Sequence, residues 1–217
     1  MLIDPFARRI AYLRLSVTDF CNYRCVYCLP DGYQGCGSAD ELSLAEIRTL
    51  VAAFAACGTE KIRLTGGEPT LRADIADIIR ICASTPGIQK VALTTNGHRL
   101  AEHYPALLDA GIDQINLSVD SFRAATFQRL TGKNHLLATI DALLARGYHH
   151  LKLNALLMRD SAAELYKDTL AYLKTRPLTM RYIELMQTGD NAALYQRAHI
   201  SAAHITARLL ADGWQER

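Results

Sequence analysis

Three cysteines, Cys21, Cys25 and Cys28, stand in a C-x3-C-x2-C spacing directly after a strand-like run from Tyr12 to Val17. Three thiols this close cannot all pair as disulfides, so one sulfur is always left over. Closely set thiolates are ligands for soft metals and for iron–sulfur clusters. Two chemistries fit. A structural zinc site closes with a fourth ligand, and the nearest candidate is Cys36, which lies between two glycines. A four-iron cube on three cysteines instead leaves one iron open for a reacting molecule. Tyr27, one position before the third cysteine, favours the cube, because a ring there can cover a flat ligand. The remaining thiols read as bland. Cys57 precedes the helix-stopping Gly58, Cys82 falls in line with Ile78 and Ile79 on an apolar helix face, and Cys36 otherwise reads as an exposed loop thiol.

The elements that hold these residues alternate. Strand-like runs cover Tyr12–Val17, Lys61–Thr65, Lys90–Thr95, Gln114–Val119, Leu151–Leu157 and Met180–Met186, with helical stretches between them. Ser43 and Glu46 form a capping box for a helix that stops at Gly58. Helices from about His103 and about Leu136 stop at Gly111 and Gly147, and a last one spans about Ser201 to Ala211. Repeated strand–helix alternation predicts parallel βα units.

Side chains switch faces at every strand residue, so each run can be split by parity. One face is apolar: Leu13, Leu15, Val17, Ile62, Leu64, Val91, Leu93, Ile115, Leu117, Val119, Leu151, Leu153, Ile183 and Leu185. The other is polar, with Arg14, Arg63, Thr94, Asn116, Ser118, Asp120, Lys152, Asn154, Tyr182, Glu184 and Met186 among its members. An open parallel sheet is apolar on both faces, and a complete eight-stranded barrel fills its interior with branched apolar layers. The pattern therefore predicts an α/β fold in which a partial (βα)6 barrel of the TIM type curves around a wet lumen. Arg14, Arg63 and Lys152 come from three strands yet share that lumen, and buried cations require anionic partners. Either an anionic, phosphorylated ligand supplies them, or Glu184 and Asp120 do. Gly66-Gly67-Glu68-Pro69 after the second strand permits close backbone approach to a ligand at the end of the barrel where such sites form.

The bulk composition is ordinary for a soluble protein: 217 residues, 50% apolar, 21% charged, net charge +2. Nothing in it calls for nucleic acid or an acidic membrane. No segment approaches the length of a membrane span, and no signal peptide is evident. Clustered thiols without secretion signals point to a reducing cytoplasm. No linker divides the chain, so residues 1–217 are expected to form one domain.

Taken together, CxxxCxYC and GGEP resemble the radical S-adenosylmethionine superfamily. LRLSVTDFCNYRCVYC, KIRLTGGEPTLR, LTTNG, INLSVDS, LKLN and RYIELMQTGDN, in that order, resemble its GTP 3′,8-cyclases, the lyases of molybdenum cofactor (molybdopterin) biosynthesis. The resemblance implies that Cys21, Cys25 and Cys28 hold a 4Fe-4S cluster whose open iron is chelated by S-adenosylmethionine. One electron then releases a 5′-deoxyadenosyl radical. It removes hydrogen from the 3′ carbon of GTP, and the ribose radical attacks position 8 of guanine to give (8S)-3′,8-cyclo-7,8-dihydroguanosine 5′-triphosphate. By motif, Tyr27, Gly67, Ser118 and Met186 would contact S-adenosylmethionine, and Arg14, Arg63, Thr94 and Lys152 would contact GTP. No side chain is assigned a catalytic role of its own. The expected partners are GTP and an electron donor such as flavodoxin or ferredoxin. A homodimer is admissible, and no nucleic acid or membrane is involved. Phe20 stands where the family commonly has a basic residue, and Leu29 where it commonly has Met. Family members continue beyond position 217 into a second cysteine triplet for another 4Fe-4S cluster, whereas no cysteine follows Cys82 here. The chain is accordingly expected to be a fragment that lacks that second cluster. The alternatives are a radical enzyme with another substrate and a zinc- or cluster-binding module without catalysis.

Overall fold

The computed structural model describes residues 2–35, 41–133, 137–148 and 150–215. Cys36 lies outside them. The order is β1 (Tyr12–Ser16), α1 (Leu44–Ala56), β2 (Lys61–Thr65), α2 (Ile75–Ser84), β3 (Lys90–Thr95), α3 (Leu100–Asp109), β4 (Gln114–Ser118), α4 (Ala124–Thr131), α5 (Leu137–Ala145), β5 (Leu151–Leu157), α6 (Ala162–Leu173), β6 (Thr179–Glu184), α7 (Ala192–Ala198) and α8 (Ala203–Ala211). The capping box is present: Ser43 Oγ accepts from Glu46 N, and the Glu46 carboxylate accepts from Ser43 N at 2.8 Å.

All six strands are parallel and follow one another in sequence order, β1 to β6. This order has a geometric consequence. Right-handed crossovers that always step the same way place every covering helix on one face. The other face is left to curve around a lumen, and β1 and β6 are its two edges. Ile62, Leu64, Leu93, Ile115, Leu117 and Leu153 are fully buried on the helix side, joined there by Ile47, Ile78 and Leu107 from α1, α2 and α3.

β6 departs from the parity expected of it. Its register pairs Leu153 with Met180, Asn154 with Arg181, Ala155 with Tyr182 and Leu156 with Ile183. Met180 and Tyr182 therefore pack outward against Leu165, Tyr166 and Ile205, while Arg181 and Ile183 face the lumen. The expected assignment, with Ile183 on the helices and Tyr182 and Glu184 in the lumen, is inverted. The physical reason is that β6 is an edge strand with mixed side chains on both faces, so only its pairing to β5 decides its phase.

Candidate active site

The cysteine loop is fastened to the sheet by backbone. Gly67 N donates to Thr18 O at 2.7 Å, and Glu68 N donates to Phe20 O at 2.8 Å. Only glycine permits this approach. A Cβ at Gly66, whose φ is +149°, would lie 2.2 Å from Thr18 O, and one at Gly67 would lie 2.3 Å from Phe20 O. Glu68 locks the same turn to the end of β3. Its fully buried carboxylate accepts from Thr70 N at 3.0 Å, Thr95 Oγ1 at 2.7 Å and Asn96 N at 2.6 Å. Arg24 N and Val26 N tie the loop to Thr131 O and Leu130 O at the end of α4, and a tight turn follows with Cys28 N on Cys25 O at 2.9 Å.

The three thiols open on one cavity of about 180 Å³, which Tyr23, Tyr27, Gly66, Gly67, Thr94 and Ser118 also line. Burial, then the Asp120 carboxylate, pushes the Cys25 thiol up to about 12. Burial likewise raises Cys21 and Cys28. Protonated thiols do not bind metal, so this cavity favours thiolates only when a cation or cluster enters with them. The donor set is soft and fits an iron–sulfur group. Among the described residues, no three His, Cys, Asp or Glu side chains converge as a site for a single ion.

A second cavity, of about 570 Å³, fills the lumen. Arg14, Arg63, Thr94 and Ser118 line it as parity predicts, together with Tyr12, Lys61, Asn116, Asn154 and Arg181. Arg63 donates to the Tyr12 hydroxyl and, at 3.3 Å, to Thr94 Oγ1. Lys152 is in register with the lining residue Asn116 but does not itself line either cavity. Burial, then the charges of Arg63, Lys90, Lys152 and Arg181, holds the Lys61 ammonium below its usual range. Most other arginines bridge to carboxylates, yet among the described residues Arg14, Lys61, Arg63, Lys152 and Arg181 have none within 4.0 Å.

The two acids expected to neutralise them are engaged elsewhere. Glu184 points outward to His199, Ser201 and the backbone N–H of Ala202 at 2.7 Å. Asp120 accepts from Tyr27 and from Leu156 N. Met186 is 76% exposed and lines neither cavity, and its carbonyl accepts from Asn191 Nδ2. Side-chain parity in the sequence does not reveal Arg181, because β6 pairs with β5 in the opposite phase. Lys61 was legible, since it shares the parity of Arg63.

The model of the Radical SAM superfamily matches residues 15–173. A GTP 3′,8-cyclase of Vibrio vulnificus is 48% identical over 216 residues, covering 97% of this chain and 65% of that protein. One from Pectobacterium atrosepticum is 48% identical over 221 residues, covering 100% and 67%. The chain thus spans about two thirds of the length of these relatives. Among solved structures, SuiB of Streptococcus suis bound to S-adenosylmethionine aligns with a TM-score of 0.69 at 15% identity, over 94% of this chain and 48% of that one. The FeFe-hydrogenase maturase HydG from Carboxydothermus hydrogenoformans aligns at 0.66 and 16%, over 88% and 47%. Those likenesses establish the fold. The matched span contains the cysteine loop, the Gly66-Gly67 turn and strands β2 to β5, and the chain belongs to the radical SAM superfamily.

Proposed function

We propose that residues 1–217 form the radical SAM core of a GTP 3′,8-cyclase, acting in the molybdenum cofactor pathway. Cys21, Cys25 and Cys28 would hold a 4Fe-4S cluster, with Tyr27, Gly67 and Ser118 beside the S-adenosylmethionine bound to it. Met186 is retained as a contact on motif grounds alone. Arg14, Arg63, Thr94 and Lys152 would hold GTP, with Lys61 and Arg181 as additional cations. When bound, the cluster and S-adenosylmethionine supply one-electron, hydrogen-abstracting chemistry. The chain's own contribution is to bind, orient and shield. The cations neutralise the triphosphate, Gly66 and Gly67 bring backbone against the cysteine loop, and the helix-covered sheet keeps other hydrogen donors away from the lumen.

The observation that carries this reading is a set of cations without acid partners, among the described residues, in a polar lumen that shares Tyr27, Thr94, Ser118 and Asp120 with the cavity onto which the thiols open. Relatives named for GTP supply the choice of anion. The electron would come from a carrier such as flavodoxin or ferredoxin, and a homodimer and a cytoplasmic location complete the reading. Among the described residues, no helix is long and apolar enough to cross a membrane.

Anaerobic reconstitution is the test. A brown protein with about four irons per chain, which cleaves S-adenosylmethionine under reductant and binds GTP, is the expected result. A colourless zinc protein, or one whose thiols are bonded to one another, would overturn the reading.

A further inference from the structure

Tyr27, Thr94, Ser118 and Asp120 line both cavities. Two of them are joined: the Tyr27 hydroxyl donates to Asp120 Oδ2 at 2.5 Å. The other oxygen of that carboxylate accepts from the backbone N–H of Leu156 at 2.9 Å. A continuous link therefore runs from the cysteine loop, through the residue that ends the β4 turn, to β5. Asp120 is 3% exposed, and among the described residues no cation lies within ion-pair distance. A carboxylate buried without a cation is expensive to keep. Strand pairing does not require it, since Val119 N already donates to Asn154 O at 2.7 Å. Beyond its bond to Leu156 N, what Asp120 adds is an anchor for the Tyr27 hydroxyl, which also faces the Cys25 thiol.

We propose that Asp120 is a positioning residue that clamps Tyr27 as the wall between the cysteine cavity and the cationic cavity, and so sets the separation of the two molecules bound there. The inference rests on the reading above, in which one cavity takes the cluster with S-adenosylmethionine and the other a nucleoside triphosphate. Hydrogen transfer between two bound molecules depends on their separation more steeply than does the affinity of either. A loosened wall therefore leaves both sites able to bind while each ceases to sense the other.

The test uses reconstituted, reduced protein carrying S-adenosylmethionine, with GTP added as the probe. Binding of GTP is measured by calorimetry and its effect on the cluster by electron paramagnetic resonance. The parent protein should bind GTP and show a GTP-dependent change in the cluster signal. Tyr27→Phe, which keeps the ring and removes the hydroxyl, and Asp120→Ala should retain iron and GTP binding but lose that change. Asp120→Asn, which still accepts from Leu156 N and reaches the Tyr27 hydroxyl, should restore it. The inference is overturned if Tyr27→Phe responds as the parent does, or if the response is lost only together with GTP binding. Should Asp120→Ala fail to take up iron, Tyr27→Phe decides alone. A parent that loads iron but neither binds GTP nor responds to it sinks the functional reading instead.

Discussion

The cysteine cavity and the cationic cavity touch at four residues, but they are held in different ways. The first is built by one short loop clamped at many points: Thr18 and Phe20 carbonyls on the Gly66–Glu68 backbone, and Glu68 on Thr70, Thr95 and Asn96. The second is tied more sparsely, Arg63 donating to Tyr12 and Thr94. Its lining cations come from β1, β2 and β6, one or two side chains per strand, and among the described residues they lack acid partners. The difference teaches that the cysteine end is organised by the chain itself, whereas the lumen's cations are left without acid partners among the described residues. A preorganised site fails when a single contact is removed, and a distributed one weakens in steps.

That contrast can be broken by substitution. The largest effect is expected from Cys25→Ala, which should abolish iron uptake outright while leaving GTP binding in place, as read by iron assay and calorimetry. Glu68→Ala should follow. It strands several buried donors, and a loss of about 3 kcal/mol in denaturant unfolding, with poor iron retention, is expected. In the lumen, Arg63→Ala and Arg181→Ala should each weaken GTP about tenfold, as loss of one charge-assisted contact does, with iron content unchanged. Parental affinity in Arg181→Ala would remove β6 from the lumen. The smallest effect concerns Glu184. Hydrogen bonds from Ala202, His199 and Ser201 hold its carboxyl below the usual 4.5. Its contribution to stability is therefore present above pH 4.5 and is lost as pH falls through the lowered value. Glu184→Gln should flatten the acid limb of the melting curve and leave GTP affinity untouched.

The two regions also differed in how readable they were. Cys21, Cys25, Cys28 and the Gly66-Gly67 turn announce themselves by local spacing, which the loop's compactness makes sufficient. Arg14, Arg63, Thr94 and Ser118 could be placed by parity, because β1 to β4 carry an unbroken apolar face that fixes their phase. β6 carries no such face. Met180, Tyr182, Ile183 and Arg181 read equally well in either phase, so Arg181 was missed and Glu184 was assigned to the lumen. The Tyr27–Asp120 link spans 93 positions, and no periodicity connects residues that far apart. Met186 was named by motif, and its exposed position follows from the chain leaving the sheet after Glu184.

Lys61 illustrates what a crowd of like charges does to an empty protein. With burial first, and then Arg63, Lys90, Lys152 and Arg181, all acting against its charge, part of the folding energy is spent on desolvation and repulsion. Thermal stability thus becomes a gauge of occupancy: phosphate-rich buffer should mask the strain, and dilute buffer should reveal it.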